Sequence, residues 1–129
     1  MRYDVAIVGG GVVGCAVARE LSRYELRAVL LEATEDVAMG SSKANSAIVH
    51  AGYDCKPGSL MARLNVRGNA LFTRWCEELE VPLSRCGSLV IGFDEADRAQ
   101  IDALSAQGVK HGVPDMGLVG GNRARCVGP

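Results

Sequence analysis

The six residues "GGGVVG" at 9–14 constrain this chain more than any other stretch, because they dictate a backbone path rather than a side-chain preference. They set Gly9, Gly11 and Gly14 in the spacing G-x-G-x-x-G. Before them, "DVAIVG" (4–9) is a short apolar run with Val and Ile, which reads as a buried parallel strand. After them, "VVGCAVARELSRY" (12–24) lines up Val13, Val17, Leu21 and Tyr24 on one helical face. "RAVLLE" (27–32) reads as a second buried strand. Strand, helix and strand within about 30 residues make a βαβ unit, so the class is α/β. In such a unit Gly9 permits the tight turn out of the strand, Gly11 lets the backbone approach a pyrophosphate, and Gly14 lets the helix pack closely on the strand. The phosphates then meet free N–H groups at the positive end of the helix.

The second strand ends in an acid. Glu32 follows Gly14 by 18 residues, near the roughly 20 at which a carboxylate reaches the adenosine ribose hydroxyls. A carboxylate there also repels a 2′-phosphate, which argues against NADP. A glycine usually closes the helix before the second strand; Glu25 stands there instead, which bears on local stability rather than on cofactor choice.

Other classes are set aside by composition. The net charge is −1 and the pI about 6.1, with the basic residues scattered, so no nucleic-acid surface is implied. No run reaches the ~18–20 apolar residues of a membrane span, and "MRYD" leads straight into the first strand without a signal-peptide pattern. The five cysteines, Cys15, Cys55, Cys76, Cys86 and Cys126, show no C-x-x-C spacing, and with two histidines they make no metal cage. They read as reduced structural thiols of a cytosolic protein. A cytoplasmic location is therefore expected, with peripheral association at the inner face of a membrane as the other possibility.

Beyond Glu32 comes a polar loop (33–46), then "AIVHAGYD" (47–54) with an apolar start and a glycine break. "KPGS" signals a turn with Ser59 as N-cap. Leu60, Leu64, Leu71, Trp75 and Leu79 share one face of a helix predicted over 59–80. "PLSRCGSLVIGF" (82–93) predicts a strand or hairpin. Residues 94–108 predict a helix capped by Asp94, with Asp97 three residues on, Ile101 and Leu104 inward, and a stop at Gly108. "GLVGGNRARCVGP" carries an apolar strand-like run into a polar segment, and suggests a chain that continues.

A simple NAD-binding fold would start another βα unit soon after Glu32. Here "GSSKANS" follows, whose small and hydroxyl residues suit a second set of phosphate and ribitol oxygens and a backbone passing a flat ring. His50 admits three readings on the residues alone: a solvated loop residue, a core histidine bonded to a carbonyl, or a base. Oxidising a secondary alcohol requires loss of the hydroxyl proton, for which an imidazole is well suited. In extended backbone His50 shares a face with Ile48. Lys43 reads as solvated, Asn45 as bonding its own loop, Arg63 and Arg67 as a solvated helix face, His111 as surface and Trp75 as core.

The runs "YDVAIVGGGVVGCAVARELS", "LLE", "SSKANSAIVHAGYDCKPGSLMARLNVRGNALF" and "CGSLVIG" resemble the FAD-dependent oxidoreductases of D-amino-acid-oxidase type. Within that family they resemble the glycerol-3-phosphate dehydrogenases and oxidases and L-2-hydroxyglutarate oxidase. The likeness spans about residue 3 to at least 110; Cys55 departs from it, where relatives carry an apolar or turn-forming residue.

The resemblance implies a Rossmann-like FAD-binding domain. Gly9, Gly11, Val12, Gly14 and Glu32 would hold the ADP half of FAD, and Ser41 and Ser42 the pyrophosphate and ribitol. Ser46, Ala47 and Ile48 would run beside the isoalloxazine. His50 would be the base, with Ser46 beside the substrate. The implied reaction is oxidation of a small anionic secondary alcohol, sn-glycerol 3-phosphate first and L-2-hydroxyglutarate second, with a related amine third. The electron acceptor (oxygen, quinone or a partner subunit) stays open. Residues 1–129 are expected to be the N-terminal part of the domain, incomplete and inactive alone, with the substrate domain and the C-terminal FAD segment elsewhere. Unpartnered strand edges would then handicap folding. A non-catalytic nucleotide-binding fragment is the reading from a different class.

Overall fold

The first apolar run becomes β1 (Val5–Val8), the glycine turn leads into α1 (Val12–Leu21), and the second run becomes β2 (Ala28–Leu31). The computed structural model describes residues 2–127. β1 and β2 pair in parallel, with Val5 opposite Ala28 and Val8 opposite Leu31. Asp4 fixes this register at its entrance. Its N–H donates to the Arg27 carbonyl at 2.9 Å, its carboxylate accepts from the Arg27 N–H at 2.9 Å, and the Arg27 guanidinium lies 3.5 Å from the same oxygen.

The strands were expected to be buried on both faces, yet of their residues only Ile7 is buried, while Val8 is 85% exposed and Leu31 52%. Parallel strands are doubly buried only when helices cover both faces, and in this unit α1 is the one helix packed on them. The stripe that α1 turns inward also differs from expectation. Val13 and Val17 are exposed, whereas Gly14, Ala18 and Leu21 are half-buried. Contact with the turn requires glycine at 14, and the valines are left outside. The helix ends at Ser22, so Tyr24 lies beyond it and Glu25 occupies no left-handed position.

The chain divides into two units, Met1–Ile48 and Val49–Pro129. The second unit contains α2 (Leu60–Glu78), α3 (Glu95–His111) and α4 (Gly121–Val127). Both predicted caps form. Ser59 Oγ accepts from the Ala62 N–H at 3.1 Å, and the Asp94 carboxylate from the Asp97 N–H at 2.8 Å. The Asp97 carboxylate reaches back to accept from the Phe93 N–H at 2.9 Å, one residue before the N-cap, so the helix start is tied from both sides.

Three expectations in this unit are corrected. The buried side of α2 runs along Ala62 and Cys76, with Trp75 and Leu71 half-buried, while Leu60, Leu64 and Leu79 are exposed. α3 does not stop at Gly108 but continues to His111, and Gly112, with φ 79°, is its left-handed terminator. Gly108 is a packing glycine, since a Cβ there would lie 2.7 Å from Met116 Cε and 3.0 Å from Tyr53 Cβ. Residues 82–93 form no strand, because a strand exists only by pairing and no described neighbour pairs with them; Gly87 turns left-handed within the segment, at φ 76°. α4 was not anticipated; its sequence "GNRARCV" lacks an apolar period. The expectation for Cys126 falls on a side chain outside the described set.

Candidate functional site

The glycine turn is held by side chains arriving from later in its unit. The N–H of Gly10 donates to Glu32 Oε2 at 2.6 Å, and the N–H of Val12 to Ser42 Oγ at 2.8 Å. Gly9 has φ +99°, a conformation natural to glycine, and a Cβ on it would meet nothing. A Cβ on Gly11 would lie 3.2 Å from Ser42 Oγ, and one on Gly14 only 1.9 Å from the Gly9 carbonyl oxygen. Gly11 is the N-cap of α1 and offers it no side-chain bond, so the helix receives its cap from Ser42.

Glu32 does more than close β2. Its Oε1 accepts from Ala33 N–H (2.8 Å), Thr34 N–H (3.0 Å) and Thr34 Oγ1 (3.0 Å), while among the described residues Oε2 accepts from Gly10 alone. These bonds, the Thr34 N–H foremost and then that of Gly10, lower its pKa from 4.5 to about 2. A depressed carboxyl stabilises the fold fully above its ordinary value and loses that contribution as pH falls through the depressed one. The expected result is that Glu32→Gln is less stable than the parent at neutral pH, and that the two thermal midpoints converge between pH 4.5 and about 2. A gap that stays constant across that window contradicts the role.

The rest of the opening loop divides. Ser41 is exposed, and among the described residues its hydroxyl makes no bond. Asn45 bonds its own loop as expected, donating to the Ser42 carbonyl (2.7 Å) and accepting from the Ala47 N–H (2.7 Å). That bond holds Ala47 at φ 55°, left-handed for a residue with a Cβ. Ser46, Ala47 and Ile48 are exposed, as is Lys43. The turn, Glu32 and Ser42 are thus gathered in one cradle, with 46–48 farther along the same unit.

His50 belongs to the second unit and is exposed. Its loop is gripped by side chains rather than by a backbone ladder. Asn69 Nδ2 donates to the His50 carbonyl (3.2 Å), and Gln107 Nε2 to the Tyr53 (2.7 Å) and Cys55 (2.9 Å) carbonyls. His111 Nδ1 lies 2.9 Å from the Gly52 carbonyl, which makes that nitrogen the protonated one. His111, read as surface, is therefore a half-buried anchor, and its Nε2 is buried without a partner among the described residues. Cys55 is buried, with Asn65 Nδ2 at 3.1 Å from its sulfur. A Cβ on Gly52, which has φ +95°, would lie 3.1 Å from Asn65 Cβ and 3.2 Å from Val66 Cγ2 of α2. Neither Gln107 nor His111 could be singled out from sequence, because a side chain bonding a distant carbonyl leaves no periodic trace.

Arg63 and Arg67 are exposed and without ion pairs among the described residues. Arg63 lines an open depression of about 480 Å³ with Ser59, Lys110 and His111. Among the described residues no His, Cys, Asp or Glu cluster is placed to hold a metal, and no helix is long and apolar enough to cross a membrane.

The cradle fits the ADP half of a dinucleotide. It combines the N-terminus of α1, an open glycine turn, a hydroxyl at the first helical N–H, and a carboxylate with an acceptor position left on Oε2. Comparison with known proteins points the same way. The family model described as FAD dependent oxidoreductase matches residues 4–129. A glycerol 3-phosphate dehydrogenase of Caloramator mitchellensis is 52% identical over 114 residues, covering 88% of this chain and 24% of that protein. A mitochondrial L-2-hydroxyglutarate dehydrogenase of Dictyostelium discoideum is 39% identical over 119 residues, covering 91% and 27%. The solved structure of dithionite-reduced L-alpha-glycerophosphate oxidase from Mycoplasma pneumoniae, with FAD bound, superposes with a TM-score of 0.73 at 36% identity. It covers 86% of this chain and 29% of that one. The chain thus spans about a quarter of the length of the curated relatives it matches.

Proposed function

Since the chain belongs to the FAD dependent oxidoreductase family, we propose that its parent protein oxidises a small anionic secondary alcohol, sn-glycerol 3-phosphate, to dihydroxyacetone phosphate. The observation that carries the substrate is the 52% identity to a glycerol 3-phosphate dehydrogenase, against 39% to an L-2-hydroxyglutarate dehydrogenase. The second of these keeps L-2-hydroxyglutarate as the alternative. Residues 1–129 form the N-terminal part of the FAD-binding domain, and the groups that grip the substrate's anion belong to the remainder of the parent.

In this reading Gly9, Gly11, Val12 and Gly14 present backbone to the pyrophosphate, and Glu32 uses its remaining acceptor position for a ribose hydroxyl while steadying Gly10. Ser41 and Ser42 serve the pyrophosphate and ribitol. Ser46, Ala47 and Ile48 keep the path beside the ring narrow enough for a flat group, with Ser46 next to the substrate. FAD, when bound, supplies the hydride acceptor. His50 takes the proton from the alcohol hydroxyl as the carbon loses its hydride, so a neutral imidazole becomes imidazolium. The free thiols of Cys15, Cys55, Cys76 and Cys86 suit a reducing compartment such as the cytoplasm.

The test is anaerobic titration of the full-length parent. Its yellow flavin absorbance is expected to bleach with sn-glycerol 3-phosphate and not with L-2-hydroxyglutarate. The reverse pattern transfers the assignment to the hydroxy acid. A protein that purifies without flavin absorbance supports the non-catalytic nucleotide-binding reading instead.

A further inference from the structure

We infer that Asn69, locked in orientation by Arg85, is a positioning residue for His50. The inference rests on the reading of His50 as the base. His50 sits in a segment without helix or strand, two residues before the left-handed Gly52, so its local backbone does little to aim its side chain. The bond from Asn69 Nδ2 to the His50 carbonyl, at 3.2 Å, ties that peptide to the middle of α2.

The amide can point only one way. Arg85 Nη1, which can only donate, lies 2.6 Å from Asn69 Oδ1, so the oxygen faces the guanidinium and the NH2 faces the carbonyl of His50. Arg85 is itself fixed: its Nη2 donates to the Asn69 carbonyl at 2.7 Å and to Thr73 Oγ1 at 2.8 Å, spanning one turn of α2. Among the described residues it makes no ion pair, and the bonds of its Nη1 and Nη2 all go to this helix. A chain of donors therefore runs from the 82–93 segment through α2 to the peptide that carries the base. The need for one side chain that both accepts from Arg85 and donates to His50 accounts for an asparagine at 69, where helix propensity alone favours alanine or leucine.

The experiment uses the full-length flavoprotein and the variant Asn69→Asp, which keeps an acceptor for Arg85, now as an ion pair, and replaces the donor to His50 with an oxygen that repels its carbonyl. Flavin reduction by the alcohol is expected to slow roughly tenfold to a hundredfold, the scale of an ångström-sized misplacement. FAD content and thermal midpoint should stay at parental values, and hydrogen–deuterium exchange of residues 50–54 should rise. In a His50→Ala background the same substitution is expected to cost nothing further. Arg85→Gln, which frees the amide without removing it, should slow reduction in the same direction by a smaller factor.

Equal losses in both backgrounds, or an Asn69→Asp enzyme with parental rate and exchange, overturn the positioning role while leaving the base reading intact. A His50→Ala enzyme reduced at the parental rate overturns the base reading, and the positioning role with it.

Discussion

Replacing His50 with alanine in the full-length parent is expected to slow flavin reduction by the alcohol roughly 10²–10⁴-fold, the contribution of a positioned general base. FAD should stay bound. The hydrogen bonds that shape the glycine turn, from Gly10 to Glu32 and from Val12 to Ser42, are all made within Met1–Ile48. The fold should also be spared, because His50 is exposed and the bond that ties its residue to α2 is made by its backbone carbonyl, which alanine retains. Anaerobic stopped-flow on the flavin absorbance, together with the flavin-to-protein ratio, separates the cases. Parental reduction rates remove His50 from the role, and a joint loss of flavin and rate makes it a structural residue.

The second large effect is Gly14→Ala. The added Cβ would stand 1.9 Å from the Gly9 carbonyl oxygen, 3.1 Å from its carbon and 3.4 Å from Ile7 Cγ2. No side chain can swing aside to relieve this, because the obstacle is the backbone of the turn itself. α1 must lift from β1, and the turn must open with it. The cost is expected at or above the upper end of the roughly 1–3 kcal/mol typical of overpacking. The full-length variant should purify colourless with a lowered thermal midpoint. Gly68→Ala is the control: a Cβ there meets nothing within 4 Å. Alanine inside α2 should leave the protein yellow and raise its stability by up to about 1 kcal/mol. A yellow Gly14→Ala protein with a parental midpoint contradicts the packing account.

The glycine turn and the helix starts were legible in the sequence because their constraints are local. A glycine needed for close approach, or a Ser or Asp needed at a helix start, announces itself at its own position, as Gly14, Ser59 and Asp94 do. Gly108 misled because a glycine that ends a helix and one that admits a neighbour look alike in one dimension. Met116 and Tyr53 decide between them. The leucine stripe of α2 misled for a related reason: periodicity identifies a face but not what covers it, and here the covered line is that of Ala62 and Cys76. Residues 82–93 carry strand-like residues without a strand, since pairing depends on a partner elsewhere. Ser42 on Val12, Asn69 on His50 and Gln107 on Tyr53 were illegible altogether, each joining residues far apart in the chain through one side chain.

The grip of α3 on the His50 loop also sets what lengths this region tolerates. Gln107 and His111 are separated by one helical turn and between them hold the carbonyls of Gly52, Tyr53 and Cys55, with Gly108 giving Tyr53 its room. One residue inserted between Leu104 and Gln107 would swing all three positions about 100° around the helix axis. It would release those carbonyls together and put a side chain where Tyr53 needs a glycine. Related sequences should therefore vary freely in residue type along the outer side of α3 while keeping its count of residues unchanged.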